Sequence, residues 1–192
     1  MMYYPLLESG ELDIEDIRPQ ATPFAFLGIP PDFDIDEALL ERHYIIMQTE
    51  LHPDRFVGKP YVEMNGVRMM SAWVNRAYKK LKDPVLRAKA LLRIARVKIP
   101  GEGDQTVANP TVLESAMEWR EELGTLKSPQ EFDQYQAKIN HVFNNYKQQF
   151  SMAWNNQDRD QMQQAYLNMS YASKALEDAK EKKLFLAGIF YK

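Results

Sequence analysis

A chain of 192 residues, 45% hydrophobic and 27% charged, has the length for one ample domain or two small ones and the composition of a globular protein, and no apolar run approaches the ~20 residues of a membrane span. A formal net charge of −3 and a sequence pI near 5.7 remove the overall phosphate attraction that drives nucleic-acid binding. Cysteine is absent, which excludes disulfides, thiol chemistry and any thiolate-held metal or iron-sulfur cluster.

Residues 1–22 carry Glu8, Glu11, Asp13, Glu15 and Asp16 against one basic side chain, Arg18, and show little periodicity. They read as an acidic extension, partly ordered by Tyr3, Tyr4 and Leu6. A transit peptide would be rich in arginine and poor in acids, and a secretory signal would need an apolar core, so a cytoplasmic location is expected.

Pro23 to Pro31 form a short apolar anchor that ends in a proline turn. Asp34 with Glu37 three residues on has the form of a capping box and predicts a helix from about Ile35 to Leu51. At about 100° per residue, Leu40, Tyr44, Met47 and Leu51 share one core stripe, with Arg42, Ile45, Ile46 and Thr49 on the opposite face. Pro53 biases His52 away from the helical region and stops this helix, leaving the imidazole of His52 and the carboxylate of Asp54 on a turn before Arg55.

A loop with Phe56, Gly58 and Pro60 leads to a second helix, about Tyr61 to Leu81, in which Val67, Met70, Val74, Ala77, Tyr78 and Leu81 repeat at helical spacing. Packed along these stripes, the two helices make an antiparallel hairpin with His-Pro-Asp at its tip. Asp83-Pro84 restarts the chain as a helix from Val85 to Val97, in which Leu86, Leu91, Leu92 and Ile94 alternate with Arg87, Lys89, Arg93 and Arg96.

His43, His52 and His141 are too dispersed for a zinc site, and no nucleophile elbow, phosphate-binding glycine loop or carboxylate cluster accompanies His52 and Asp54. No catalytic residue, metal or cofactor is therefore expected.

The glycine-rich run from Pro100 to Asp104 is the natural domain boundary. Three helices are predicted after it. The first covers about Pro110 to Leu123, and the second opens at the capping box Ser128-Pro129-Gln130-Glu131 and continues to about Asn155. The third runs from Asp158 to about Ile189, and short loops between long helices imply a three-helix bundle. Val112, Ala116, Trp119 and Leu123 form a core stripe, while Leu113, Met117 and Arg120 form a second stripe about 100° around. On the last helix Tyr171 lies about 180° from the core residue Met162, with Leu167 and Lys174 beside it. An apolar cluster rimmed by Glu118, Glu121 and Lys174 would mark a partner site.

The hairpin with His-Pro-Asp at its tip, followed by Asn75-Arg76-Ala77-Tyr78-Lys79-Lys80-Leu81-Lys82-Asp83-Pro84 and then Arg87-Ala88, resembles a J-domain, the module that docks on DnaK-type chaperones and triggers their ATP hydrolysis. With Thr106-Val107 and the run Met117-Glu118-Trp119-Arg120-Glu121-Glu122-Leu123 behind it, the chain is similar to the HscB family of iron-sulfur co-chaperones over about Pro23 to Leu184. The resemblance implies an all-α fold, a J-domain helical hairpin followed by a three-helix bundle. Its expected organisation is an acidic extension over 1–22, a J-domain over 23–98, a linker over 99–109 and a client-binding bundle over 110–192.

The implied partners are a DnaK- or HscA-type ATPase, met by His52, Pro53, Asp54, Arg55 and Arg42, and an IscU-type scaffold protein, met by Leu113, Met117, Glu118, Arg120, Glu121 and Tyr171. The protein is expected as a monomeric, non-enzymatic co-chaperone without nucleic-acid or membrane partners. A J-protein carrying a different client is the alternative. Lack of cysteine suits an adaptor that leaves cluster ligation to its client. Two positions depart from the family pattern: Glu114 follows Leu113 where methionine is common, and Thr49 stands where a basic residue is usual.

Overall fold

The computed structural model describes residues 22–58, 60–100, 110–186 and 188. The expected acidic extension, apart from Thr22, and the expected linker, apart from Ile99 and Pro100, lie outside these residues, as do Ala187 and Ile189 of the last helix. The described secondary structure is helical throughout: α1 (Pro23–Phe26), α2 (Glu37–Glu50), a 3-10 turn (Pro53–Phe56), α3 (Tyr61–Lys82), α4 (Pro84–Ile94), α5 (Pro110–Thr125), α6 (Pro129–Asn155) and α7 (Arg159–Leu186). No helix among them is long and apolar enough to cross a membrane. The chain divides into two compact units between Ile94 and Ala95.

In the first unit the apolar anchor folds as a single helical turn. Pro23 sits at the first helical position and the Thr22 hydroxyl accepts the Ala25 N–H at 3.2 Å. Gly28, at φ 63°, ends the turn, with its N–H donated to the Ala25 carbonyl and that of Ile29 to the Phe24 carbonyl. Phe24, Phe26, Leu27, Ile29 and Phe33 are all buried, so this short stretch supplies much of the unit's core. His43, a residue without an assigned role in the sequence, is buried and its Nδ1–H donates to the Leu27 carbonyl at 2.8 Å, fastening α2 to the anchor.

The N-cap of α2 is Asp36 rather than Asp34: the Asp36 carboxylate accepts the N–H groups of Ala38 and Leu39 at 2.9 and 3.0 Å. Asp34 instead gives its N–H to Asp32 in a local turn. Along the seam between α2 and α3, Tyr44 stacks on Tyr78 with centroids 4.1 Å apart, and Tyr44 and Gln48 both donate to the side-chain oxygen of Asn75. Tyr78 donates to Glu41, and that hydrogen bond, with burial and the Glu41 charge, pushes the phenol up to about 12. Glu41 facing Tyr78 while Gln48 faces Asn75 fixes the pair as antiparallel.

In the second unit α6 and α7 form a long antiparallel hairpin, in which Lys183 near the end of α7 meets Asp133 near the start of α6. Both halves of the capping box at Ser128 and Glu131 are made. Trp119, Leu123, Phe132, Tyr135, Ile139, Ala172 and Ala179 form one buried cluster. Lys182 closes α5 by donating to the Leu123 and Gly124 carbonyls at 2.6 and 3.1 Å. Leu167, placed by the sequence beside Tyr171 at the surface, is buried.

Arg87, which alternates with leucines in the sequence, is buried at 5% exposure. Its Nε donates to the Leu81 carbonyl at 2.6 Å and its Nη1 to the Phe33 carbonyl at 2.7 Å, the guanidinium lies 5.7 Å from the Phe33 ring centroid, and Nη2 is 3.8 Å from Glu37. Burial lowers its pKa, opposed by the charges of Glu37, Asp34 and Asp83. The α4 helix therefore starts on a fixed point: Asp83 caps it by accepting the N–H groups of Val85 and Leu86, and the helix ends at Ile94, short of the expected Val97, with Arg96 in the left-handed region at φ 54°. Replacing Arg87 by alanine leaves two carbonyls without their donors in a buried site. Arg87→Ala should cost about 3 kcal/mol, and Tm followed by circular dichroism should fall by more than about 10 °C. Arg87→Lys should recover only part of this, since an ammonium lacks the planar fork that reaches both carbonyls.

Candidate functional site

Two surfaces collect the residues singled out in the sequence, one in each unit. The first is the tip of the α2–α3 hairpin. Leu51 ends α2 with its N–H on the Met47 carbonyl, the His52 N–H reaches the Thr49 carbonyl, and Pro53 opens the 3-10 turn. His52 is the cap of that turn: its Nδ1 accepts the Asp54 N–H at 3.3 Å. The Asp54 carboxylate also approaches Nδ1, at 3.6 Å, but that separation is beyond hydrogen-bond range, and a nitrogen accepting a backbone N–H cannot at once donate. The cap contact decides the tautomer, which leaves Nε2–H as the free donor. The side chains of His52 and Asp54 are 58% and 85% exposed, so both polar centres face solvent from a constrained turn. Phe56 and Pro53, together with Leu51, Met64, Val67, Arg68 and Ser71, line a cleft of about 140 Å³ beneath the tip, and Gly58 takes φ 85° on the way to α3.

Arg55 does not reach outward freely: its Nη1 is 2.9 Å from Glu50. Arg42 is exposed and carries no ion pair among the described residues. Beside it on α2, Ile45 and Ile46 are 54% and 40% exposed, and the Thr49 hydroxyl is turned back onto the Ile45 carbonyl. This face of α2 is thus more apolar than basic.

The second surface is a groove between α5 and α7 of about 350 Å³. Leu113, Met117 and Arg120 of α5 and Tyr171 and Lys174 of α7 line it, over a floor that includes Trp119 and Tyr135. Met117 is 65% exposed, whereas Leu113 and Tyr171 are half-buried. Glu118 and Glu121 are exposed but are not among the residues that line the groove. Asp178, which the sequence reading leaves out, lines it and holds Lys174 at 2.9 Å, pushing that ammonium above the ordinary lysine range. The i,i+4 spacing of Lys174 and Asp178 was the available signal. The Tyr135 hydroxyl donates to the Trp119 carbonyl at 3.0 Å, and burial, with the charges of Glu122 and Asp178, pushes it up to about 12, so the floor is neutral. A small groove with an apolar centre and a charged edge suits side chains of a protein surface better than an engulfed small molecule. Among the described residues no group of carboxylates and histidines is arranged to hold a metal.

Residues 108–180 match the family model for the HSCB C-terminal oligomerisation domain. A protein of Pasteurella multocida described as a co-chaperone protein HscB homolog is 34% identical over 115 residues, covering 60% of this chain and 67% of that one. A Cupriavidus taiwanensis protein of the same description is 37% identical over 100 residues, covering 52% of this chain and 56% of that one, so the aligned stretches span little more than half to two thirds of these relatives. The crystal structure of human co-chaperone protein HscB superposes with a TM-score of 0.80 at 26% identity, covering 88% of this chain and 85% of that chain. A His-Pro-Asp hairpin in one unit, the matched bundle in the other and this likeness along most of the chain have one common explanation: the chain belongs to the HscB family of J-domain co-chaperones.

Proposed function

We propose that this protein binds an IscU-type iron-sulfur scaffold through the α5–α7 groove, delivers it to a DnaK- or HscA-type chaperone, and stimulates ATP hydrolysis there through the tip of the α2–α3 hairpin. The co-chaperone is not itself an ATPase in this reading. The observation that carries it is the presentation of His52 and Asp54, solvent-facing on a turn closed by the Asp54 N–H donated to His52 Nδ1. A constrained turn loses little freedom on docking, so its Nε2–H and carboxylate are available to partner groups at low entropic cost. The groove supports the second half of the reading, because Met117 is a large exposed apolar side chain bordered by Arg120 and Lys174, a pattern of apolar centre and charged rim.

His52→Gln should abolish stimulation of the chaperone's ATP turnover while circular dichroism and scaffold affinity stay unchanged, since a side chain this exposed contributes little to the fold. Full stimulation by a folded His52→Gln protein would remove the role assigned to the tip.

In the groove, Met117→Ala should weaken scaffold binding by about 1 to 3 kcal/mol, roughly 5- to 150-fold, and adding Leu113→Ala and Tyr171→Ala should nearly eliminate it. Tyr171 packs on the buried cluster of its unit, so Met117 is the cleaner site for separating affinity from stability. Stimulation of the chaperone without scaffold should persist in these variants. Calorimetry decides the matter: unchanged scaffold affinity in a folded triple variant would leave a J-protein that carries a different client.

A further inference from the structure

The solvent face of α3 gathers charge of one sign. Arg68, Met69, Ala72, Arg76, Lys79 and Lys80 are all exposed, and at about 100° per residue they fall within about 120° of arc. From Val67 to Lys82 the helix has no acidic side chain. Among the described residues Arg68, Lys79 and Lys80 have no ion-pair partner, and Arg76 only turns its Nε back to the Ala72 carbonyl at 3.3 Å. Basic side chains in the last turn of a helix are common because they meet its negative end. Arg68 and Arg76 lie further back than that and have no such cause.

The same chain carries the complement. Five of the nine residues from Glu8 to Asp16 are acidic and none is basic. Leu12 and Ile14 alternate with those acids, and Met69, 49% exposed, lies among the basic side chains of α3. The point of entry is fixed by the fold. Thr22 caps α1, α1 packs on α3, and Phe26 meets Trp73 edge-on at 6.4 Å. Trp73 stands about 20° around α3 from Lys80, at the border of the basic arc. Five residues, six Cα–Cα steps, separate Asp16 from Thr22 and extend to ~20 Å, whereas Arg68 and Lys80 lie only about 10 Å from Trp73 along the helix.

We propose that the acidic segment Glu8 to Asp16 docks on the solvent face of α3 in the free protein. Single exposed ion pairs are weak and screened by salt, but a short tether holds the acids at millimolar effective concentration beside the basic arc, so several weak pairs acting together populate the docked state. Arg68 also lines the cleft beneath the hairpin tip, so the docked segment covers basic surface that adjoins His-Pro-Asp, and any acidic surface approaching there has to displace it. The proposal stands on this chain's own charges and does not depend on the chaperone reading.

Because cysteine is absent, Ser9→Cys in the full chain gives a single site for a nitroxide label, and paramagnetic broadening of backbone amides reads where the segment spends its time. Amides from 68 to 80 should broaden at about 50 mM salt and recover at about 500 mM, where the screening length shrinks severalfold. The broadening should vanish when Glu11→Gln, Asp13→Asn, Glu15→Gln and Asp16→Asn are combined, or on Lys79→Glu with Lys80→Glu. Both lysines are exposed, so the rest of the spectrum should be unchanged. Broadening that persists in the neutralised segment, ignores salt or stops at α1 would overturn the proposal. So would broadening that passes from a labelled chain to an unlabelled, isotope-enriched one, since the occupant would then be a second copy.

Discussion

A single buried guanidinium holds together the parts of the first unit that the chain makes separately. Arg87 reaches the Phe33 carbonyl in the loop before α2 and the Leu81 carbonyl near the end of α3, with Glu37 at the start of α2 close by. Leu81 is among the last carbonyls of α3, which have no partner inside the helix, so the charge answers both an unmet acceptor and the negative end of the helix. Taking a charge out of water is costly, and only several simultaneous contacts offset that cost. The geometry is therefore tightly constrained: α2, α3 and α4 meet so that Nε and Nη1 of Arg87 each find a carbonyl, while Nη2 is buried 3.8 Å from Glu37 without a hydrogen bond.

The tip inherits its precision from this base through the seam between α2 and α3. The Tyr44–Tyr78 stack and the shared acceptor on Asn75 fix the register of the two helices, and register fixes where Leu51 ends one and Tyr61 begins the other. What remains for the turn is local. Pro53 stops the helix, His52 caps the next turn, and the exposed edges of His52 and Asp54 follow from that capping. The turn thus calls for little stability of its own, as expected where a rigid scaffold positions a loop.

The groove in the second unit is made differently. Its apolar residues are those left over when α5 packs on the α6–α7 hairpin, and the Lys174–Asp178 pair edges it without closing it. Met117 stays exposed because the buried side of α5 is already taken by Val112, Trp119 and Leu123. Exposed apolar area at one edge of a bundle is a cost in the free protein that binding would remove.

Much of this was legible in the chain itself. The helical stripes through Leu40, Met47, Val67, Val74 and Leu81 are buried as their spacing predicts, because amphipathic periodicity is a local property that packing has only to accept. Pro53, the capping box at Ser128 and the second stripe of Leu113 and Met117 were equally local, and so was the resemblance resting on short motifs. Asp36 in place of Asp34 as the cap of α2, the burial of Arg87, the lock of His43 on Leu27, the pairing of Arg55 with Glu50 and the burial of Leu167 were decided by the tertiary structure. Arg87 shows why: its Phe33 acceptor is 54 residues away in sequence. A charged side chain among leucines looks solvated until the fold supplies the carbonyls that make burial tolerable, and those come from segments that no local pattern brings together.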